Sequence, residues 1–176
     1  PASNAWVHTA PMLSSRAFHA AVLLPEGNPM FMGGFSNGAY LSSTEVFYST
    51  SHRWYQGPAM LEARGQFTAT VMHDGRVMVV GGLNAANGVL NTTRFFDPTT
   101  LAWSAGGSLN FARHSHTATL LRDGRVIVIG GNDGTGEIAL AEIYDPSTNA
   151  WSRVTALGGN DLSIPRQNHT ATLLPD

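Results

Sequence analysis

An all-β chain of repeated four-stranded antiparallel units is the fold class this sequence predicts, and three observations predict it. Four Trp recur at positions 6, 54, 103 and 151, spaced by 48, 49 and 48 residues. Gly-Gly pairs close β-rich runs at 33–34, 81–82 and 130–131, and an Arg stands 17 residues before the first Gly of each pair, at Arg16, Arg64 and Arg113. No segment carries a helical period, and self-similarity at a fixed period marks a repeat architecture.

The elements of one unit follow in order from Arg113. His116–Leu121 and Arg125–Ile129 read as two strands, joined at Asp123-Gly124 by a tight turn. The same turn recurs as Glu26-Gly27 and Asp74-Gly75. The spacing predicts a two-residue hairpin, because Gly supplies the positive φ such turns require. A loop of about ten residues follows the Gly pair, then a third strand, Ala141–Tyr144, closed by Asp145-Pro146. The fixed φ of Pro and the Asp side chain bonding back preset that turn. A fourth strand opens at Trp151. Such a meander exposes one face too many, so it is stable only when stacked on its neighbours, and the stacked form is a β-propeller.

These spacings resemble the kelch repeat, a hydrophobic run ending in Gly-Gly followed by a spaced Tyr and Trp, and the resemblance covers essentially the whole chain. The run from His116 to Gly131 resembles the units of bacterial kelch proteins and of the galactose-oxidase group. Read this way, residues 1–15 are the outer strand of a preceding blade and a linker. Blades span 16–63, 64–112 and 113–165, and 166–176 form the inner strand of a following blade. A six- or seven-bladed ring at this period takes roughly 290–340 residues. The chain is therefore expected to be a piece of a longer ring, closed by missing blades or by a second chain.

Composition removes several chemistries. The 176 residues include no Cys, all ten cations are Arg, and the net charge is −2. Thiol nucleophiles, zinc-thiolate sites, lysine Schiff bases and phosphate-cradling P-loops are excluded. Without a basic run, nucleic acid is not the expected partner. No apolar stretch approaches the roughly 20 residues of a membrane span. The low-charge, Thr/Asn/Gly-rich composition leans towards an extracellular or periplasmic setting.

Strand alternation places the short first-to-second and third-to-fourth turns on one face and the longer, more variable loops on the other. Variable loops on a rigid repeat are where binding sits. Arg16, Arg64, Arg113 and Arg166 open the inner strands on that loop face, with Asn132 and Asp133 in one of its loops. Two readings stand for the Arg register. A ring of guanidinium groups receives an acidic ligand, as the kelch resemblance implies, or each Arg clasps loop carbonyls and a third-strand carboxylate such as Glu45 or Glu142. Repetition in every unit favours the clasp. His19, His116 and His169 share a register and are weak metal candidates; Phe67 fills that register in the second unit, so packing is favoured. Copper is expected only if the parent protein is oxidase-like. The galactose-oxidase centre needs Tyr-His ligands and a Cys-linked Tyr, and here Phe18, Ser115 and Asn168 precede the three His. The expected function is a non-catalytic scaffold for a protein or a small acidic or sugar ligand. The alternative is part of a carbohydrate-active enzyme, galactose-oxidase-like or a sugar-acid epimerase, with its catalytic residues outside this segment.

Overall fold

The computed structural model describes residues 8–154 and 162–175. The expected outer strand around Trp6 and most of the long loop before Arg166 lie outside the described residues.

Three four-stranded antiparallel sheets form the blades. Blade 1 holds β1 (Ala20–Leu23), β2 (Pro29–Met32), β5 (Thr44–Tyr48) and β6 (Arg53–Gly57), in that spatial order; β3 (Phe35–Ser36) and β4 (Ala39–Tyr40) form a separate small hairpin. Blade 2 repeats the plan with β7 (Thr68–Val71), β8 (Val77–Val80), β11 (Thr93–Asp97) and β12 (Ala102–Ala105), and carries the hairpin β9 (Leu83–Asn84) and β10 (Gly88–Val89). Blade 3 is β13 (Thr117–Leu120), β14 (Val126–Ile129), β15 (Ala141–Asp145) and β16 (Ala150–Arg153). The described residues contain no α-helix. Residues 166–175 join no β-ladder, although an inner strand was expected there. A ladder needs a hydrogen-bonded neighbour, and among the described residues no strand pairs with them.

Two turn expectations need correction. The first-to-second turns are three-residue loops and not two-residue hairpins. Gly27 donates to Leu24 O at 2.8 Å and Leu24 donates to Asn28 O at 3.0 Å, and the bonds recur at Gly75 and Gly124. Only the Gly has positive φ, 86° at all three sites, so the loop is a type I turn closed by a glycine bulge. The mirror-image turn sits instead inside the loop after the first Gly pair, where Asn37 (φ 49°) and Gly38 (φ 82°) join β3 to β4.

The hydrophobic core lies between blades. One cluster joins Leu24, Met30, Met32 and Val46 of blade 1 to Phe67, Val77, Val79 and Phe96 of blade 2. A second joins Met78, Val80 and Phe95 of blade 2 to Val126, Val128, Tyr144 and Trp151 of blade 3. Each such side chain contributes about 1.5–3 kcal/mol on burial, so blades hold one another together more than each holds itself. The fourth-strand Trp also tie the blades. Trp54, Trp103 and Trp151 donate their indole N–H to the backbone carbonyls of Ala10, Pro58 and Gly107, at 2.7, 3.0 and 3.0 Å.

The inner ends of the blades meet in a backbone chain. Gln66 donates to Phe18 O, Ser115 to Gln66 O and Asn168 to Ser115 O, each at 2.9 Å. All four residues hold φ between 53° and 56°. The first Gly of each pair makes room for the next blade. A Cβ on Gly33 would stand 2.6 Å from Arg64 O and 2.7 Å from Phe67 Cε1.

Candidate functional site

The recurrent Arg are built into the blades. Arg16 donates to Gly33 O and Ser43 O and pairs with Glu45 at 2.5 Å. Arg113 donates to Gly130 O and Leu140 O, both at 2.9 Å, and pairs with Glu142 at 2.8 Å. The side chains of Arg16, Arg64 and Arg113 are 0% exposed. Carbonyls and carboxylates accept from the terminal guanidinium nitrogens of all three, which is the arrangement of the clasp reading. Arg166, at the same register, is exposed and donates Nε to Ile164 O at 3.3 Å.

Blade 2 solves the same charge problem differently. Its third strand carries Arg94 where the other blades carry Glu45 and Glu142. The carboxylate comes instead from Glu62, in the linker, which accepts from both Arg64 and Arg94 and from the Thr92 hydroxyl at 2.9 Å. Burial raises the Glu62 carboxyl, but Thr92, Arg64 and Arg94 outweigh it and hold the group below the usual range. Burial lowers Arg64 to about 10 against the opposing pull of Glu62, and lowers Arg113 in the same direction. Sequence reasoning passed over Glu62; the signal was Arg94 standing at the acidic position of the repeat.

Two His of the register, His116 and His169, fasten one blade to the next. His116 Nε2 lies 2.9 Å from Thr68 Oγ1, and His169 Nε2 lies 3.2 Å from Thr117 Oγ1, each hydroxyl belonging to the preceding inner strand. In the second blade the His is Phe67, and the hydroxyl position before it is Ala20, packed against the same core cluster. His and Phe thus alternate with the chemistry of the facing residue. Burial, helped by Arg113, lowers His116 to about 3 and keeps it neutral. His116 and His169 address separate inter-blade contacts, and the His19 ring packs on Phe31 of its own blade, with centroids 5.7 Å apart. Among the described residues no group of three or more His, Cys, Asp or Glu converges to hold a metal.

The loop face carries the variable surface. Each inter-blade linker exposes one large apolar side chain two or three residues before its Arg: Leu13 (59% exposed), Leu61 (57%), Phe111 (39%) and Ile164 (64%). Between the loops of blades 1 and 2 lies a cleft of about 420 Å³, lined by Tyr40, Glu62, Asn84 and their neighbours. Asn84 shapes one wall, since its amide donates to Ala63 O at 2.9 Å and its carbonyl accepts from Ala86 and Asn87. In the loop of blade 3, Asn132 accepts from Gly134, and Asp133 from Thr135 and Gly136, so both side chains brace their own turn.

Three comparisons bear on this geometry. The chain is 34% identical over 80 residues to human Kelch-like protein 23, a match covering 46% of this chain and 14% of that protein. The mouse Kelch-like protein 23 matches at 32% over 77 residues, 44% of this chain and 13% of that protein. The chain thus spans about one seventh of the length of these curated relatives. Among solved structures, that of YjhT superposes with a TM-score of 0.73 over 89% of this chain and 57% of the other, at 16% identity, which is a likeness of fold. The model of the KLHDC2/KLHL20/DRC7 Kelch-repeats domain matches residues 3–176, and with its blades, Gly-Gly pairs and Arg clasps the chain belongs to the kelch-repeat family.

Proposed function

We propose that the chain is part of a non-catalytic kelch scaffold that binds a protein through its loop face. The observation that supports this reading is the periodic row of exposed apolar residues, Leu13, Leu61, Phe111 and Ile164, beside the cleft at Tyr40 and Glu62. Apolar side chains set at blade spacing on a rigid support fit an extended protein surface better than a compact small molecule. Because Arg16, Arg64 and Arg113 are engaged internally, the ligand is not required to be acidic; the exposed Asp133, Glu137 and Arg166 lie at the rim as polar contacts.

The test is selection of a displayed peptide library on this chain, followed by Leu61→Asp and Phe111→Asp. Both residues are exposed, so folding is expected to survive, and selected binders are expected to lose at least tenfold in affinity. Binders indifferent to both changes would overturn the reading. So would specific binding of a neutral or acidic monosaccharide in the cleft with no peptide selected.

A further inference from the structure

We propose that the opposite, short-turn face carries a second docking groove between blades 1 and 2, fitted to an extended proline-rich segment with basic residues at one end. The starting point is a departure of blade 1 from the repeat. Where blades 2 and 3 place Asp97 and Asp145, blade 1 has Tyr48; where they place Ser104 and Ser152, it has Tyr55. The polar residues are the ones that suit these exposed positions, so the repeat does not explain two Tyr there. The rings are 41% and 49% exposed and meet edge to face, with centroids 5.2 Å apart at 84°.

Three hollows join end to end from this pair. The first, about 300 Å³, is lined by Tyr48, Ser51 and Tyr55. The second, narrower at about 90 Å³, shares both Tyr and continues along Pro58, Phe96, Pro98 and Leu101. The third, about 430 Å³, shares Glu26 and Pro98 with the second and adds Asp74 and Asp97. The groove is therefore aromatic at one end, apolar in its middle and acidic at the other. Of the three carboxylates at the acidic end, Asp74 is paired with Arg76 at 2.7 Å; Arg53, the register partner of Tyr48, sits at the aromatic end.

Charge complementarity chooses the occupant. A segment with Lys or Arg over Glu26, Asp74 and Asp97 and apolar residues over the Tyr pair matches both ends. Proline suits the middle because it is already extended, so little conformational freedom is lost on docking between aromatic walls. This groove stands apart from the loop face, and either can fail alone.

The experiment uses isotope-labelled chain and three synthetic twelve-residue proline-rich peptides: one with an Arg-Arg pair at its start, one with the pair at its end, and one with Glu-Glu instead. Saturable amide shifts confined to β5, β6 and the turns at 24–28, 72–76 and 97–101 are expected with at least one Arg peptide, at least tenfold stronger than with the Glu peptide. Tyr55→Ser, which installs the residue of the other blades, is expected to weaken binding tenfold or more, as is Glu26→Gln with Asp74→Asn. Tyr55→Phe should keep most of it, and Leu61→Asp on the loop face all of it. No saturable shift at millimolar peptide, equal binding of the Glu peptide, or binding unchanged in Tyr55→Ser would overturn the proposal. So would occupation of the Tyr pair by an oligosaccharide or a second copy of the chain in place of the peptides.

Discussion

At the scale of the residue, the buried charges decide what the loop face is not. Arg113 and Glu142 are both buried at 0% exposure, with two carbonyls also depending on the guanidinium. Truncating one partner strands the other, so Arg113→Ala is expected to cost about 3–5 kcal/mol in urea unfolding. Blade 2 permits a sharper check. Glu62→Ser leaves Arg64 and Arg94 facing each other, and Arg94→Glu sets a second carboxylate beside Glu62; the two together restore the pattern of Ser14 and Glu45 in blade 1. Each single change should destabilise, and the double variant should recover most of the loss, a coupling of about 1–3 kcal/mol readable in a double-mutant cycle. The histidines set an acid limit. His116 sits near 3 when folded and near 6.5 when unfolded, so the unfolded chain binds more protons between those values. Stability is expected to be full above pH 6.5 and to decline as pH falls towards 3, by up to about 1.4 kcal/mol per pH unit. His116→Phe with Thr68→Ala, copying Phe67 and Ala20, should flatten that decline in pH-dependent denaturant melts.

At the scale of the element, glycines with the same sign of φ do different jobs. Gly124 (φ 86°) closes a turn, and a Cβ there would meet nothing nearer than His73 Nδ1 at 3.6 Å. Gly124→Ala should therefore cost only the backbone strain, about 1–2 kcal/mol. Gly33 (φ 62°) carries the same strain, and its Cβ would also strike the Arg64 carbonyl and the Phe67 ring of the next blade. Gly33→Ala should cost at least twice as much, measured by urea titration of both variants. Asp-Gly announces a tight reversal, but whether one or both residues take positive φ depends on how many residues the flanking strands leave unpaired, and ladder register is not written in the dipeptide.

At the scale of the whole molecule, stability is shared unequally because each core belongs to two blades. Blade 2 contributes to both clusters, with β8 buried throughout. Its amides in β8 and β11 are expected to exchange slowest, and those of β6 and β16 at the outer edges fastest, in native-state hydrogen exchange. The period of Trp, Arg and Gly-Gly was enough to predict the family, the strand order within a blade and the placing of variable loops on one face, since a repeat writes its own alignment into the chain. The His and Phe of one register also pointed to packing, because no metal site tolerates Phe as a ligand. What tertiary structure alone decided was where each side chain spends its hydrogen bonds. An Arg at the mouth of an inner strand has the same spacing whether it faces a ligand or folds back on Gly130 and Glu142. Arg94 at the acidic position of the repeat signalled a missing carboxylate, but only the fold brought Glu62 against it, and the Tyr48 and Tyr55 pair met only when their strands were laid side by side. Sequence distance does not record such meetings, because they are made by strand pairing and blade stacking between residues 17 or more positions apart or in facing registers.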